Sequence, residues 1–138
     1  MNDYPDRPLI GVGVVVFKGD RVLLVRRGKP PRRGQWSLPG GRQRLGETVR
    51  AAAAREVAEE AGLTIEVTAL LDVVDSMTRD EDGSLAYHYT LVDFLAEWRA
   101  GAAAAGGDAA EVAWADPDDL APYDLWDETL RVIALARP

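Results

Sequence analysis

Residues 41–63 read GRQRLGETVRAAAAREVAEEAGL, from Gly41 to Leu63. The part from Thr48 to Ala61 holds no Gly or Pro and is rich in Ala, Glu and Arg, which favours a helix, and Gly62 supplies the expected C-terminal stop. At about 100° per residue, with Glu56 as origin, Glu59 falls at roughly −60° and Glu60 at roughly +40°, so three carboxylates share one sector. Like charges at these spacings weaken a helix unless a cation offsets them, and Arg55 alone leaves an excess of negative charge. Ala54, Val57 and Ala61 form an apolar stripe beside the acidic sector, so one side of the helix is expected to pack and the next to bind. Glu47 sits nine residues before Glu56, about 180° around on the same wheel and at the helix start, where a carboxylate complements the helix dipole.

With no cysteine and a single histidine in the chain, a soft or imidazole-rich metal site is excluded and oxygen ligands remain. Clustered carboxylates then point to a hard ion, Mg²⁺ first and Mn²⁺ as a substitute, and Mg²⁺ commonly completes its coordination with water and substrate phosphates. Upstream, Ile10–Phe17 and Val22–Val25 are β-branched and apolar runs around the turn Lys18-Gly19-Asp20, which reads as a hairpin. The segment GKPPRRGQWSLPGG, Gly28 to Gly41, reads as a loop with a short extended piece at Trp36–Leu38. Downstream, Ile65–Val74 and Tyr87–Trp98 are expected to pair as strands around a polar loop tip, Asp75–Ser84. GAAAAGG at 101–107 suggests a flexible loop or frayed turn, Val112–Trp114 a short strand, and Asp127–Ala136 a second helix that buries Leu130, Ile133 and Ala134 before Pro138.

The chain has 138 residues and 47% hydrophobic content, enough for one compact domain spanning 1–138 with a core of its own. No apolar run approaches the ~20 residues of a membrane span, and Met1 to Pro8 does not read as a signal peptide, so a cytoplasmic location without membrane attachment is expected. A net charge of −7 argues against nucleic-acid binding in general. Nine of the sixteen basic residues nevertheless lie between Lys18 and Arg44, with Asp20 the only acid among them, a local patch suited to a small anion.

Gly41 to Leu63 resembles the Nudix box, G-x5-E-x7-R-E-U-x-E-E-x-G-U with U a bulky aliphatic residue. Gly41, Glu47, Arg55, Glu56, Val57, Glu59, Glu60, Gly62 and Leu63 fill its fixed positions in order. The resemblance implies an α/β (α+β) fold, a mixed β-sheet sandwiched between α-helices. It implies Mg²⁺ bound by Glu56, Glu59 and Glu60, often joined by the backbone carbonyl at Gly40, with Arg55 holding the carboxylates in place. The activity implied is hydrolysis of a diphosphate bond in a nucleoside diphosphate derivative, a small-molecule substrate.

Within that resemblance Arg27 is expected to contact substrate phosphate, and Trp36 and Trp126, in loop-like surroundings, are candidates to line a cleft and stack on a base. The general base is less constrained: Glu59, Glu97, Asp108 and Glu111 are candidates, and of those outside the box we favour Glu111. His88 reads as an ordinary strand histidine. ADP-ribose ranks first among substrates and oxidised nucleoside triphosphates second, although the Pro often found about 16 residues past the box in ADP-ribose enzymes is replaced here by Arg79. An isoprenoid diphosphate isomerase on the same fold is disfavoured because its cysteine is absent. A catalytically silent nucleotide-binding module is disfavoured because every box carboxylate is present. Relatives commonly dimerise, so a homodimer is left open.

Overall fold

A computed structural model describes residues 4–30 and 32–137; Met1 to Asp3 and the expected stop Pro138 lie outside them. The hairpin forms as read, with β1 (Leu9–Lys18) antiparallel to β2 (Arg21–Arg27) and Phe17 opposite Val22. The Gly-rich loop contributes β3 (Trp36–Ser37) and β4 (Gly40–Arg42). The box helix α1 runs Val49–Ala61, followed by β5 (Thr64–Arg79), β6 (Leu85–Ala100), β7 (Ala109–Ala115) and α2 (Asp127–Ala136). The seven strands form one mixed sheet in the order β3-β2-β1-β6-β5, with β4 on β1 and β7 on β2, and β1 runs parallel to β6.

Alternation along the central strands sends successive residues to opposite faces, and each face has its own core. Val12, Val14 and Val16 of β1, Leu23 of β2 and Phe94 of β6 pack with Ala52, Ala53, Val57 and Ala61 of α1. Val15, Val22, Leu24 and Val74 pack on the other side with Val132, Ile133 and Ala136 of α2. The sheet is thus covered by one helix on each side, as the resemblance implies. The wheel positions need correction, however. Ala54 is only half-buried, and in α2 Leu130 and Ala134 face solvent while Thr129, Val132, Ile133 and Ala136 are buried. The α2 axis is rotated by roughly a third of a turn from the simple apolar count, because Val132 and Ala136 meet the sheet.

Other differences have local causes. The first half of the expected loop at Asp75–Ser84 is strand: Asp75, Ser76, Met77 and Thr78 pair with Thr90, Tyr89, His88 and Tyr87. The turn narrows to Asp80–Ser84, where Asp80 Oδ1 accepts N–H bonds from Asp82 and Ser84 at 2.9 and 3.1 Å. The segment 101–107 is fastened to the end of α1: Ala104 N donates to Ala61 O at 3.0 Å and Gly106 N to Glu60 O at 3.1 Å. Its glycines allow this, since a Cβ on Gly106 would lie 2.6 Å from Glu59 O.

One buried charge stands apart from the hydrophobic layers. Asp93 on β6 is 6% exposed, lies against Gly13, and has no hydrogen-bond partner among the described residues. Burial first, and the nearby Asp72 second, push its carboxyl up to about 6. Because the folded value exceeds the ordinary 3.8, ionisation opposes folding as pH rises from about 4 to about 6, and the penalty is complete above that range. Asp93→Asn should remove this slope, so the stability difference between variant and wild type shifts in favour of the variant by up to about 3 kcal/mol between pH 4 and pH 7. Urea titrations across that range check it; parallel pH profiles for the two proteins would show that Asp93 stays hydrated.

Candidate active site

The box residues converge at the junction of β4 and α1. Thr48 caps the helix, its Oγ1 accepting from Ala51 N at 3.0 Å, and Gly62 ends it in the left-handed conformation with φ of 71°. Glu47 precedes the cap, so the wheel position given to it does not apply. A turn in which Glu47 N donates to Arg44 O at 3.1 Å folds it back over the helix. There it takes both prongs of Arg55: Nε donates to Glu47 Oε2 at 2.6 Å and Nη2 to Oε1 at 2.9 Å.

Arg55 is the hub. Beyond Glu47, its Nη1 donates to Glu56 Oε1 at 2.7 Å and to Glu59 Oε2 at 3.3 Å, and its Nη2 reaches Arg42 O at 3.0 Å. This bonding holds the Glu47 carboxyl down at about 2 and raises the guanidinium further above its usual range. Glu47 is therefore a charged anchor for Arg55, and it shares that guanidinium with Glu56 and Glu59, whereas the wheel sets it on the opposite side of the helix.

The other carboxylates are less well satisfied. Glu56 is raised, chiefly by burial and against the pull of Arg55. Glu60 rises to about 7, again chiefly from burial; Gly40 N, donating at 2.8 Å, offsets only part of it, while the charges of Glu56 and Asp108 add to the rise and Arg27 opposes it. Glu59 is the most open of the three, with Arg44 Nη2 at 3.4 Å from Oε1. A carboxylate cluster bearing more negative charge than its arginines neutralise, built only of oxygen donors and partly desolvated, fits a hard divalent cation. As they stand, no three His, Asp or Glu side chains among the described residues converge to hold a metal. Glu56 and Glu59 share Arg55 Nη1, while Glu60 is bonded to Gly40 N.

Two glycines shape the floor. A Cβ on Gly41 would fall 2.5 Å from the Glu56 carboxyl carbon, so the carboxylate occupies the space a side chain would fill. A Cβ on Gly40 would fall 2.0 Å from Val12 O, because β4 lies directly on β1 with Gly40 opposite Gly13. Sequence reasoning assigned Gly40 a carbonyl role and gave Gly41 none; the N–H bond from Gly40 to Glu60 and the cradle under Glu56 emerge only from the pairing of β4 with β1.

The residues expected outside the box separate. Arg27 lies at the end of β2, within electrostatic reach of Glu60. Asp108 is also within that reach; its side chain pairs with Lys29 at 3.1 Å and its carbonyl accepts from Gly28 N at 2.8 Å. Glu111, by contrast, faces Arg26 across the β2–β7 ladder and pairs with it at 3.0 Å. Of the two acids, the charge of Asp108 is the one felt at Glu60, and each is held by a basic partner of its own. Trp36 is half-buried in the α2-side core, edge-on to Tyr123 with ring centroids 5.0 Å apart, while Trp126 is 43% exposed.

The model of the NUDIX domain family matches residues 7–136. The chain belongs to the NUDIX domain family. Among similar proteins, an ADP-ribose pyrophosphatase of Methanocaldococcus jannaschii is 36% identical over 113 residues, covering 82% of this chain and 64% of the relative. A putative 8-oxo-dGTP diphosphatase 2 of Mycobacterium tuberculosis is 47% identical over 66 residues, 47% of each protein. The chain therefore spans between about half and two thirds of the length of these curated relatives. A crystal structure of a MutT NUDIX hydrolase from Burkholderia pseudomallei superposes with a TM-score of 0.82 at 30% identity, covering 96% of this chain and all of that one. NUDIX enzymes generally depend on a divalent metal ion. No helix among the described residues is long and apolar enough to cross a membrane.

Proposed function

We propose that this NUDIX chain hydrolyses the diphosphate bond of a nucleoside diphosphate derivative, ADP-ribose first, with Mg²⁺ held by Glu56, Glu59 and Glu60 and Mn²⁺ able to replace it. The observation that carries the reading is the partly buried carboxylate cluster on the Gly40–Gly41 floor, charged in excess of what Arg55 and Arg44 neutralise. A metal ion at this site would lower the pKa of an attacking water and neutralise charge on the phosphate oxygens. Arg55, tied to Glu47, keeps Glu56 and Glu59 on one side of the helix. Arg27 and its basic neighbours bind the second phosphate, and Trp36, half-buried beside Tyr123, is the candidate to meet the base. Asp108 and Glu111 are the candidates outside the helix to take a proton from the water, alone or with Glu59; the charge of Asp108 is felt at Glu60, and each acid carries a basic partner, Lys29 and Arg26 respectively. Water adds to one phosphorus, the bridging P–O bond breaks, and the leaving phosphate departs with the bridging oxygen.

ADP-ribose is ranked above 8-oxo-dGTP because the ADP-ribose pyrophosphatase matches most of this chain, whereas the diphosphatase matches under half. The test is a panel of ADP-ribose, 8-oxo-dGTP, dinucleoside polyphosphates and NADH with Mg²⁺, products being identified after reaction in ¹⁸O water. The expected result is AMP and ribose 5-phosphate from ADP-ribose, at a rate above any triphosphate and abolished by EDTA. A higher kcat/KM for 8-oxo-dGTP would replace ADP-ribose with nucleotide cleaning, and no turnover with any compound in Mg²⁺ or Mn²⁺ would sink the enzyme reading.

A further inference from the structure

β5 is an edge strand, paired among the described residues only with β6; on its far half Arg32 donates to Thr78 Oγ1 at 3.3 Å and Arg131 pairs with Asp72 at 2.8 Å. Its irregularities fall at Thr64/Ile65, Val67/Ala69, Leu70/Asp72 and Thr78/Arg79; the ladder from Asp72 to Thr78 runs in unbroken register against Asp93 to Tyr87, and at the last irregularity the extra residue, Ala86, is on β6, so β5 itself continues to Arg79. That stretch carries neither Pro nor Lys, the residues that commonly blunt an edge. Beyond the reach of α1, the face that α1 covers farther along the sheet stays open. Val73 lies opposite Val92, which belongs to the α1-side core, yet Val73 is 51% exposed and Met77 54% exposed. By alternation Val73, Asp75, Met77 and Arg79 share this face, and all four are exposed. Asp75 has no cationic partner among the described residues, and Arg79 gives one N–H to Gly83 O at 2.7 Å and meets no carboxylate.

We propose that two copies of this chain join β5 to β5 in antiparallel register across a two-fold axis at Met77, extending the sheet from one copy into the other. In that register Met77 meets Met77 of the second copy, Ser76 meets Thr78, and Asp75 meets Arg79 twice, once on each side of the axis. The neighbouring registers lack this match. An axis at Asp75 sets Asp75 against itself, which is repulsive, and an axis at Ser76 sets Asp75 against Met77 and Asp72 against Asp80. The occupant is a second copy because the sequence Asp75-Ser76-Met77-Thr78-Arg79 is its own antiparallel complement in charge, and an unrelated strand would have to reproduce that pattern.

Sedimentation of the full chain across the micromolar to millimolar range tests the register. The wild type is expected to show a concentration-dependent monomer–dimer equilibrium. Asp75→Arg and Arg79→Asp each place like charges opposite one another at two positions and should weaken the dimer by about tenfold or more. The double exchange Asp75→Arg/Arg79→Asp restores both pairs and should recover the wild-type constant. Circular dichroism melts confirm that these exposed substitutions leave the protomer folded. A wild type that stays monomeric throughout overturns the proposal, as does a dimer indifferent to the single exchanges or not rescued by the double one.

Discussion

Glu60→Gln is expected to lower kcat by about a thousandfold or more while leaving the melting temperature of the metal-free protein unchanged or higher. Gln keeps the volume of the side chain and an acceptor oxygen for Gly40 N, so the 2.8 Å bond that ties α1 to β4 survives. What disappears is a charge that burial already disfavours, since Glu60 titrates at about 7 in place of 4.5. The folded value lies above the ordinary one, so in the absence of metal the wild type loses stability as pH rises from about 4.5 toward about 7, and the variant does not. A bound cation reverses that balance by giving the carboxylate a partner. Mg²⁺ should therefore raise the melting temperature of the wild type at pH 8 and much less at pH 5, where protons compete for the same oxygens. In Glu60→Gln the Mg²⁺-induced rise should shrink at both pH values. Turnover close to wild type, or an undiminished Mg²⁺ shift, would remove Glu60 from the metal site.

The helix and the hairpin were legible because each rests on local rules: Thr48 and Gly62 punctuate α1, and the turn Lys18-Gly19-Asp20 joins two apolar runs close enough in sequence to pair with each other. The three carboxylates were legible for the same reason, as helical spacing places them without any tertiary information. Glu47 was misplaced because the wheel was extended past the cap; the chain before Thr48 follows a turn, and the turn brings Glu47 to Arg55. β4 was invisible because Gly40 and Gly41 carry no strand propensity of their own, and their pairing with β1 is decided by close backbone approach. The partners of Glu111 and Asp108 have a comparable origin: the β2–β7 register sets Glu111 against Arg26, and the turn before β7 brings Asp108 to Lys29, neither of which helical or strand spacing announces.

The two floor glycines should separate stability from activity when each is replaced by Ala. At Gly40 the new methyl group would meet Val12 O at 2.0 Å and Gly13 Cα at 3.1 Å. Both are backbone atoms of β1 at the centre of the sheet, so nothing flexible can yield and the β1–β4 ladder must open. Gly40→Ala is therefore expected to lose about 3 kcal/mol of stability in urea or thermal unfolding. Activity falls with it, because the N–H that positions Glu60 moves. At Gly41 the methyl group would meet only the end of the Glu56 side chain, its carboxyl carbon at 2.5 Å and both oxygens at 2.6 Å. A side-chain terminus can rotate away, so the fold should lose no more than about 1 kcal/mol. The rotation nevertheless carries Glu56 off the 2.7 Å bond from Arg55 and out of the carboxylate sector. Gly41→Ala should then lower kcat by about a hundredfold and raise the Mg²⁺ concentration needed for half-maximal rate, with melting close to wild type. Because Glu56→Gln removes the same charge without adding bulk, the two variants should resemble each other in metal dependence. If Gly41→Ala instead keeps full activity at ordinary Mg²⁺, Glu56 is free to serve from another position, and the cradle beneath it is packing with no part in the chemistry.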